Sequence, residues 1–118
     1  MAWMLTIIET LVFQRLVRDV WSEEELDAFK VWLASDPLAG DAIPGSGGLR
    51  KVRWSRSGMG KRSGARVIYV NQLADGVIAL LMVYTKAKFD NLPTEFLIRL
   101  RKELEDAQDA QDGHGGQA

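Results

Sequence analysis

The chain contains no cysteine and only one histidine among its 118 residues. Without cysteine there can be no disulfide scaffold, no thiolate chemistry and no cysteine-ligated metal site. No apolar run approaches the roughly 20 residues that a membrane helix needs. The opening MAWMLTIIET lacks both the basic leader and the apolar length of a signal peptide. We therefore expect a cytoplasmic protein that does not associate with membranes.

Acidic residues are also missing from one long stretch. The net charge is only -1, but no Asp or Glu lies between Asp41 and Asp75. Seven basic residues fall in the same window: Arg50, Lys51, Arg53, Arg56, Lys61, Arg62 and Arg66. This separation of charge predicts one strongly positive face that attracts polyanions.

Hydrophobic periodicity predicts an α+β fold in the order β-α-α-β-β-β-α. We expect a small, mainly antiparallel β-sheet with the two N-terminal helices packed on one face. The predicted strands cover residues 4–8, 49–54, 65–70 and 77–84. Because residues 77–84 are apolar on both faces, their strand should lie in the middle of a covered sheet.

The predicted helices cover residues 9–21, a segment from a capping box at Ser22 to Ser35 or Asp36, and residues 93–106. The glycine-rich segment 37–48 should be a loop. Each helix has an apolar stripe at helical spacing: Val12, Leu16 and Val20; Leu26, Phe29 and Leu33; Phe96, Leu100 and Leu104. Residues 1–106 should form a single domain, and 107–118, AQDAQDGHGGQA, a disordered tail.

The basic window predicts a hairpin that carries cations on one surface. In a strand, Lys51 and Arg53 point to the same side, and an antiparallel partner can bring Arg66 beside them. Glycines in the connecting loop would let Lys61 and Arg62 approach a phosphate backbone. The alternative is a solvated hairpin that serves solubility alone, but seven cations without an anion disfavour it.

A second candidate is the end of the last strand, where Tyr84, Lys86 and Lys88 alternate along VYTKAKFDNL. These lysines would extend the positive surface if their strand lies beside residues 65–70. The alternative is that they are edge lysines that deter strand pairing. Trp54 could stack on a base, but it shares its side of the strand with Val52, which favours the core.

If RNA is the ligand and is cut, the simplest chemistry is attack of the ribose 2′-hydroxyl on the adjacent phosphorus. That reaction needs a base, an acid and positive charge at the phosphate. The only histidine, His114, lies in the predicted tail, and no set of residues has metal-ligand form, so we expect no metal and no cofactor. Lys51 is the first candidate for the base, and Arg53 and Arg66 for charge stabilisation. The acid stays open among Lys86, Tyr84 and Tyr69.

Several segments resemble the HigB-like branch of the RelE/ParE toxin superfamily: ETLVFQRLVRD, SEEELDAF, GDAIPGSGGLRKVRW, GKRSGARVIY and VYTKAKFDNL. The resemblance spans about residues 7–105 and implies a type II toxin-antitoxin system. Toxins of this kind cleave mRNA in the ribosomal A site without a metal, on a microbial-ribonuclease-like sheet. The positions on which their cleavage depends match Lys51, Arg53, Arg66 and Lys86 here.

The resemblance also implies partners: the ribosome with its mRNA, a helix-turn-helix, HigA-like antitoxin, and operator DNA bound through the toxin-antitoxin complex. An exposed sheet edge would permit a homodimer. We expect RNA contacts from a wider set of side chains: Arg50, Arg56, Lys61, Arg62, Tyr69, Tyr84 and Lys88.

Two other functions compete with the ribonuclease. ParE-type relatives poison DNA gyrase, but their basic set is usually incomplete, whereas this chain retains all four positions. A non-catalytic nucleic-acid-binding regulator would bind with a steep salt dependence, but the sequence contains no convincing helix-turn-helix. The histidine or C-terminal tyrosine that some family members use is not evident here.

Overall fold

The computed structural model describes residues 5–55 and 64–104, which form an α+β fold with a five-stranded mixed sheet. The predicted fold class and the order of the predicted elements are confirmed. The predicted tail at 107–118 and the hairpin loop at 56–63 lie outside the described residues. The strands are β1 (Thr6–Glu9), β2 (Asp41–Ala42), β3 (Leu49–Trp54), β4 (Ala65–Gln72) and β5 (Val77–Tyr84). The helices are α1 (Leu11–Val17), α2 (Glu23–Ser35) and α3 (residues 94–104).

The strands lie in the order β1-β5-β4-β3-β2. β1 runs parallel to β5, and every other neighbouring pair is antiparallel. β5 lies inside the sheet between β1 and β4, as its continuous apolar run predicts. The short β2 was not predicted, because its two exposed residues lie in a segment that reads as a loop.

One β-bulge interrupts the pairing of β4 with β5. Ile68 pairs with Met82, but the next residue, Tyr69, pairs with Leu80. Leu81 is therefore an extra residue in β5, the usual cause of a local bend in a strand. Leu81 and Met82 both pack on the side of the sheet that faces α3.

Apolar side chains cover both faces of the sheet. The two N-terminal helices cover one face, where Phe13 and Phe29 pack with Val67 and Leu80 of the strands. α3 covers part of the opposite face through Leu97, Leu100 and Leu104. Within residues 5–55 and 64–104 no helix has the length and apolar character needed to cross a membrane.

α1 buries a different stripe from the one predicted, whereas α3 buries the predicted Leu100 and Leu104 and differs only at the first position. In α1 the buried residues are Phe13 and Val17, whereas the predicted residues Val12, Leu16 and Val20 are only partly buried. α1 also ends at Val17, before the predicted end at 21. In α3 the buried stripe begins at Leu97 and not at Phe96, which is 37% exposed. Both helices are apolar at neighbouring positions, so spacing alone leaves the phase of the stripe open by one residue.

Polar contacts fix the first helices to the sheet. The Thr10 hydroxyl accepts the N–H of Phe13 at 3.1 Å and donates to the carbonyl of Leu81 at 3.0 Å, so one side chain caps α1 and ties it to β5. The predicted capping box between Ser22 and Glu25 is present at the start of α2.

A buried tyrosine anchors the segment that precedes β2. Tyr69 is fully buried; its hydroxyl donates to the carbonyl of Pro37 at 2.8 Å and accepts the N–H of Gly40 at 2.9 Å. Gly40 has to be glycine, because a Cβ there would lie 2.7 Å from the carbonyl oxygen of Lys51. This anchoring places Asp41 opposite Lys51 in the β2–β3 pair.

We expect Tyr69→Phe to lower the free energy of unfolding by about 1–3 kcal/mol, because it leaves the buried Gly40 N–H without its acceptor and removes a donor from Pro37. Urea denaturation followed by tryptophan fluorescence measures this loss. Tyr84→Phe is the matched comparison and should cost less, since its partner Asp90 is partly exposed and can bind water. Equal losses in the two variants would contradict the anchoring role of Tyr69.

Candidate nucleic-acid interface

Three basic side chains and one tyrosine lie together on the sheet face that α3 partly covers. Lys51 and Arg53 alternate on β3 with Val52, which packs under the N-terminal helices. On β4, Arg66 pairs directly with Arg53 on one side and with Tyr84 of β5 on the other. The antiparallel pairing of β3 with β4 therefore brings the cations of two sequence segments to one surface.

The three basic side chains line an open depression of about 220 Å³, together with two carboxylates. Its lining residues are Asp41, Lys51, Arg53, Arg66 and Asp90. Three cations and two anions thus surround it, and the excess positive charge favours an anionic ligand. Within the described ranges, 5–55 and 64–104, no three His, Asp or Glu side chains are grouped so as to hold a metal ion.

Asp90 lies at the centre of the contacts in this depression. Its Oδ1 accepts the hydroxyl proton of Tyr84 at 3.2 Å and lies 3.1 Å from the Nε of Arg66, with which it forms an ion pair. Its backbone carbonyl accepts a hydrogen bond from the ammonium group of Lys51 at 3.3 Å. Arg66 is further held through Nη1, which donates to the carbonyl of Thr85 at 2.8 Å. Lys51, Arg66 and Tyr84 therefore hold the segment 85–90 against the sheet.

Tyr84 acts as a proton donor in this arrangement. Burial raises its pKa to about 12, the charge and the hydrogen bond of Asp90 add to the increase, and Arg66 opposes it. The hydroxyl consequently keeps its proton across the physiological range. Tyr84 can donate a hydrogen bond to an anion, but it cannot serve as a base.

Two of the predicted RNA-binding residues lie on the opposite face. Arg50 donates from Nε to the carbonyl of Gly40 at 2.9 Å, and so helps to hold the segment before β2. Tyr69 is buried under the N-terminal helices, and burial raises its pKa while the Gly40 hydrogen bond and Arg50 oppose the rise. The prediction that Tyr69 contacts RNA, or acts as the acid, is therefore wrong: its hydroxyl is enclosed and already bonded.

The remaining predicted residues lie around or outside the depression. Lys86 and Lys88 are exposed in the segment after β5, and the Lys88 ammonium lies 5.2 Å from the centre of the Phe89 ring. Trp54 packs against Trp21 and other aromatic rings beneath the N-terminal helices, as the preference for a core position predicts. Arg56, Lys61 and Arg62 lie outside the described residues.

Sequence reasoning missed both carboxylates of the depression. Asp41 is the last acid before the basic window, and Asp90 follows Arg66 by 24 positions, so neither interrupts the window itself. The strand pairing of β2 with β3 and the turn after β5 bring them back to the cations. The position of Asp90 directly after the alternating Tyr84, Lys86 and Lys88 was the one available signal.

No family model matches the chain. Among solved structures, an arginine double mutant of the E. coli toxin RelE in the free state is similar. The two chains are 15% identical with a TM-score of 0.49, over 76% of this chain and 90% of that one.

Both tyrosines of the chain have raised pKa values, so we expect little phenolate absorbance at pH 10 in the native protein, although 10.0 is the ordinary value. The folded state holds these protons more tightly than the unfolded state does. Their contribution to stability is therefore complete below pH 10 and is lost as the pH rises through the folded-state pKa values, that of Tyr84 being about 12. Ultraviolet titration and denaturation at several pH values measure the two effects.

In this titration Tyr84→Phe should remove the phase near pH 12 and leave that of Tyr69. A native phase centred on pH 10 would show that one hydroxyl is neither buried nor paired as described.

Proposed function

We propose that this chain is the toxin of a type II toxin-antitoxin system, a metal-independent, ribosome-dependent mRNA endonuclease that a cognate antitoxin neutralises. One observation carries the proposal: Lys51, Arg53 and Arg66 converge on an open depression beside the hydroxyl of Tyr84. The donors and charges there are those that cleavage of a phosphodiester requires.

The pairing of Arg53 with Arg66 supports a ligand-binding role. Like charges directly opposite each other on neighbouring strands destabilise a sheet, so this pair costs stability in the protein alone. A phosphate between the two guanidinium groups would offset the repulsion and could be bound in a bidentate manner. Arg53 is exposed and therefore accessible to such a ligand.

The chemistry proposed is transesterification within the RNA chain. The Nζ of Lys51 takes the proton of the ribose 2′-hydroxyl, and the oxygen attacks the adjacent phosphorus. The bond from phosphorus to the 5′-oxygen breaks, which leaves a 2′,3′-cyclic phosphate and a 5′-hydroxyl end. Arg53 and Arg66 stabilise the charge on the phosphorane. The leaving oxygen receives its proton from Tyr84 or Lys86, since the third candidate, Tyr69, is enclosed on the other face.

The resemblance of the sequence to HigB-like toxins supports the biological setting. The positions it matches, Lys51, Arg53, Arg66 and Lys86, include the three cations of the depression. We therefore also propose that the ribosome presents the mRNA, and that a HigA-like antitoxin binds the toxin and, with it, operator DNA. The gyrase-poison alternative would leave this set of side chains without a role.

We expect Lys51→Ala to reduce cleavage by about 10²-fold or more, because the reaction loses its base. The measurement is transcriptome-wide mapping of mRNA 5′ ends after controlled expression, with new ends expected at in-frame positions inside translated codons. Arg15→Ala is the matched control: it removes one exposed cation from α1, on the other side of the sheet, and should cleave like the unaltered chain.

Growth arrest by the unaltered chain without new 5′ ends would overturn the proposed activity and favour gyrase as the target. Equal cleavage by Lys51→Ala and the unaltered chain, at matched levels of folded protein, would overturn the assignment of the base.

A further inference from the structure

The contacts of Asp90 are incompatible with simultaneous binding of a phosphate by the same donors. The hydroxyl of Tyr84 has one proton and donates it to Asp90 Oδ1, and the guanidinium of Arg66 forms an ion pair with the same oxygen. While the carboxylate is in place, the Tyr84 proton is not available to a phosphate oxygen, and the charge of Arg66 is already paired. An RNA phosphate must therefore either avoid these donors or replace the carboxylate.

We propose that the Asp90 carboxylate occupies the phosphate position of this site, and that RNA binds productively only by displacing it. The ligand class, RNA phosphate, rests on the proposed function. The role of Asp90 as an internal competing anion rests on the geometry of the depression. Asp90 would then lower the affinity of the free protein for RNA in solution. RNA that a larger assembly holds in place would be favoured over RNA in solution.

The burial of Arg66 explains why an internal anion would be present. The Arg66 side chain is only 11% exposed, and a cation at that depth is costly unless an anion or several acceptors compensate it. Asp90 supplies this compensation in the protein without RNA. Its own side chain is 31% exposed, so the carboxylate can leave the depression for water without crossing the core.

An RNA phosphate could displace the segment that carries Asp90 without breaking the strand pairing of the sheet. Residues 85–89 are exposed and contain a single turn of 3-10 helix, Ala87–Phe89. The segment is held by the Asp90 contacts, the Thr85 carbonyl bond to Arg66, and an edge contact between Phe89 and Tyr84 with ring centres 5.9 Å apart. Apart from that ring contact, the donors are Lys51, Arg66 and Tyr84, and an RNA phosphate could accept from the same groups.

The test measures binding of a short 2′-O-methyl RNA oligonucleotide, which cannot be cleaved because it lacks the 2′-hydroxyl. We expect Asp90→Asn to bind this probe about fivefold or more tightly than the unaltered chain at low salt, because a competing charge is lost. Asp90→Ala, which also removes the acceptor, should bind at least as tightly as Asp90→Asn. Adding Arg66→Ala to Asp90→Ala should abolish the gain, because Arg66 is the group that the substitution releases.

Two controls separate the contact from net charge. Asp75→Asn removes one negative charge at the exposed turn between β4 and β5, and should change affinity little. Asp41→Asn removes the other carboxylate of the depression, which is not bonded to Arg66, and should give a smaller gain than Asp90→Asn.

Weaker or unchanged binding by both Asp90 variants, at unchanged thermal stability, would overturn the inference and identify Asp90 as a group that positions Arg66. Failure of every chain, variant or unaltered, to bind the probe would overturn it as well. Tighter binding by the Asp90 variants, together with no cleavage in cells, would support this inference and contradict the proposed endonuclease activity. The two claims can therefore be tested separately.

Discussion

Apolar coverage of β4 and β5 on both faces is the constraint on which the rest of this structure depends. A strand with one face in water can place polar side chains at every second position, but a strand covered on both sides cannot. The charged side chains of these strands are therefore confined to the end of the pair where β4 begins and β5 ends. Arg66 and Tyr84 lie there, next to Lys51 and Arg53 of β3. The location of the candidate site thus follows from where the core ends.

The charge balance of that region reflects two opposed requirements. A site for a polyanion needs unpaired cations, whereas a folded protein without ligand is destabilised by cations that repel each other at short range. The depression contains three cations and two carboxylates, so it retains an excess of positive charge while its most buried guanidinium is paired. The depression can therefore attract an anionic ligand while part of the repulsion among its cations is offset.

The sequence alone predicts the fold well where local signals are strong. The bounds of β3 and β5 match the predicted ones, and the capping box at Ser22 is present, because alternation, apolar runs and caps act over a few residues. The first residue of the α3 stripe is not predictable in this way. Phe96 and Leu97 are both apolar, and only the shape of the sheet beneath decides which one is buried.

The candidate site is predictable in part for the same reason. Lys51 and Arg53 share a side by strand geometry, and Arg66 joins them once β4 is taken as the antiparallel partner. The place of Asp90 in the site is not predictable from the sequence, because it depends on a turn after β5 that no short-range pattern specifies. Tyr69 follows Arg66 by three residues on β4, so strand alternation already places the two on opposite faces, and the prediction for Tyr69 did not take this into account.

The bulge at Leu81 determines which residues of β5 can belong to the site at all. Ile78 and Leu80 point toward the N-terminal helices, and strict alternation would send Tyr84 to that same side. The extra residue shifts the alternation of the strand by one position. Val83 therefore packs under the N-terminal helices, and Tyr84 packs on the opposite face beside Arg66. β5 is in effect two half-strands of opposite phase. The first half packs in the core. The second half places the Tyr84 hydroxyl on the face of the candidate site, where a strand without the bulge would place none.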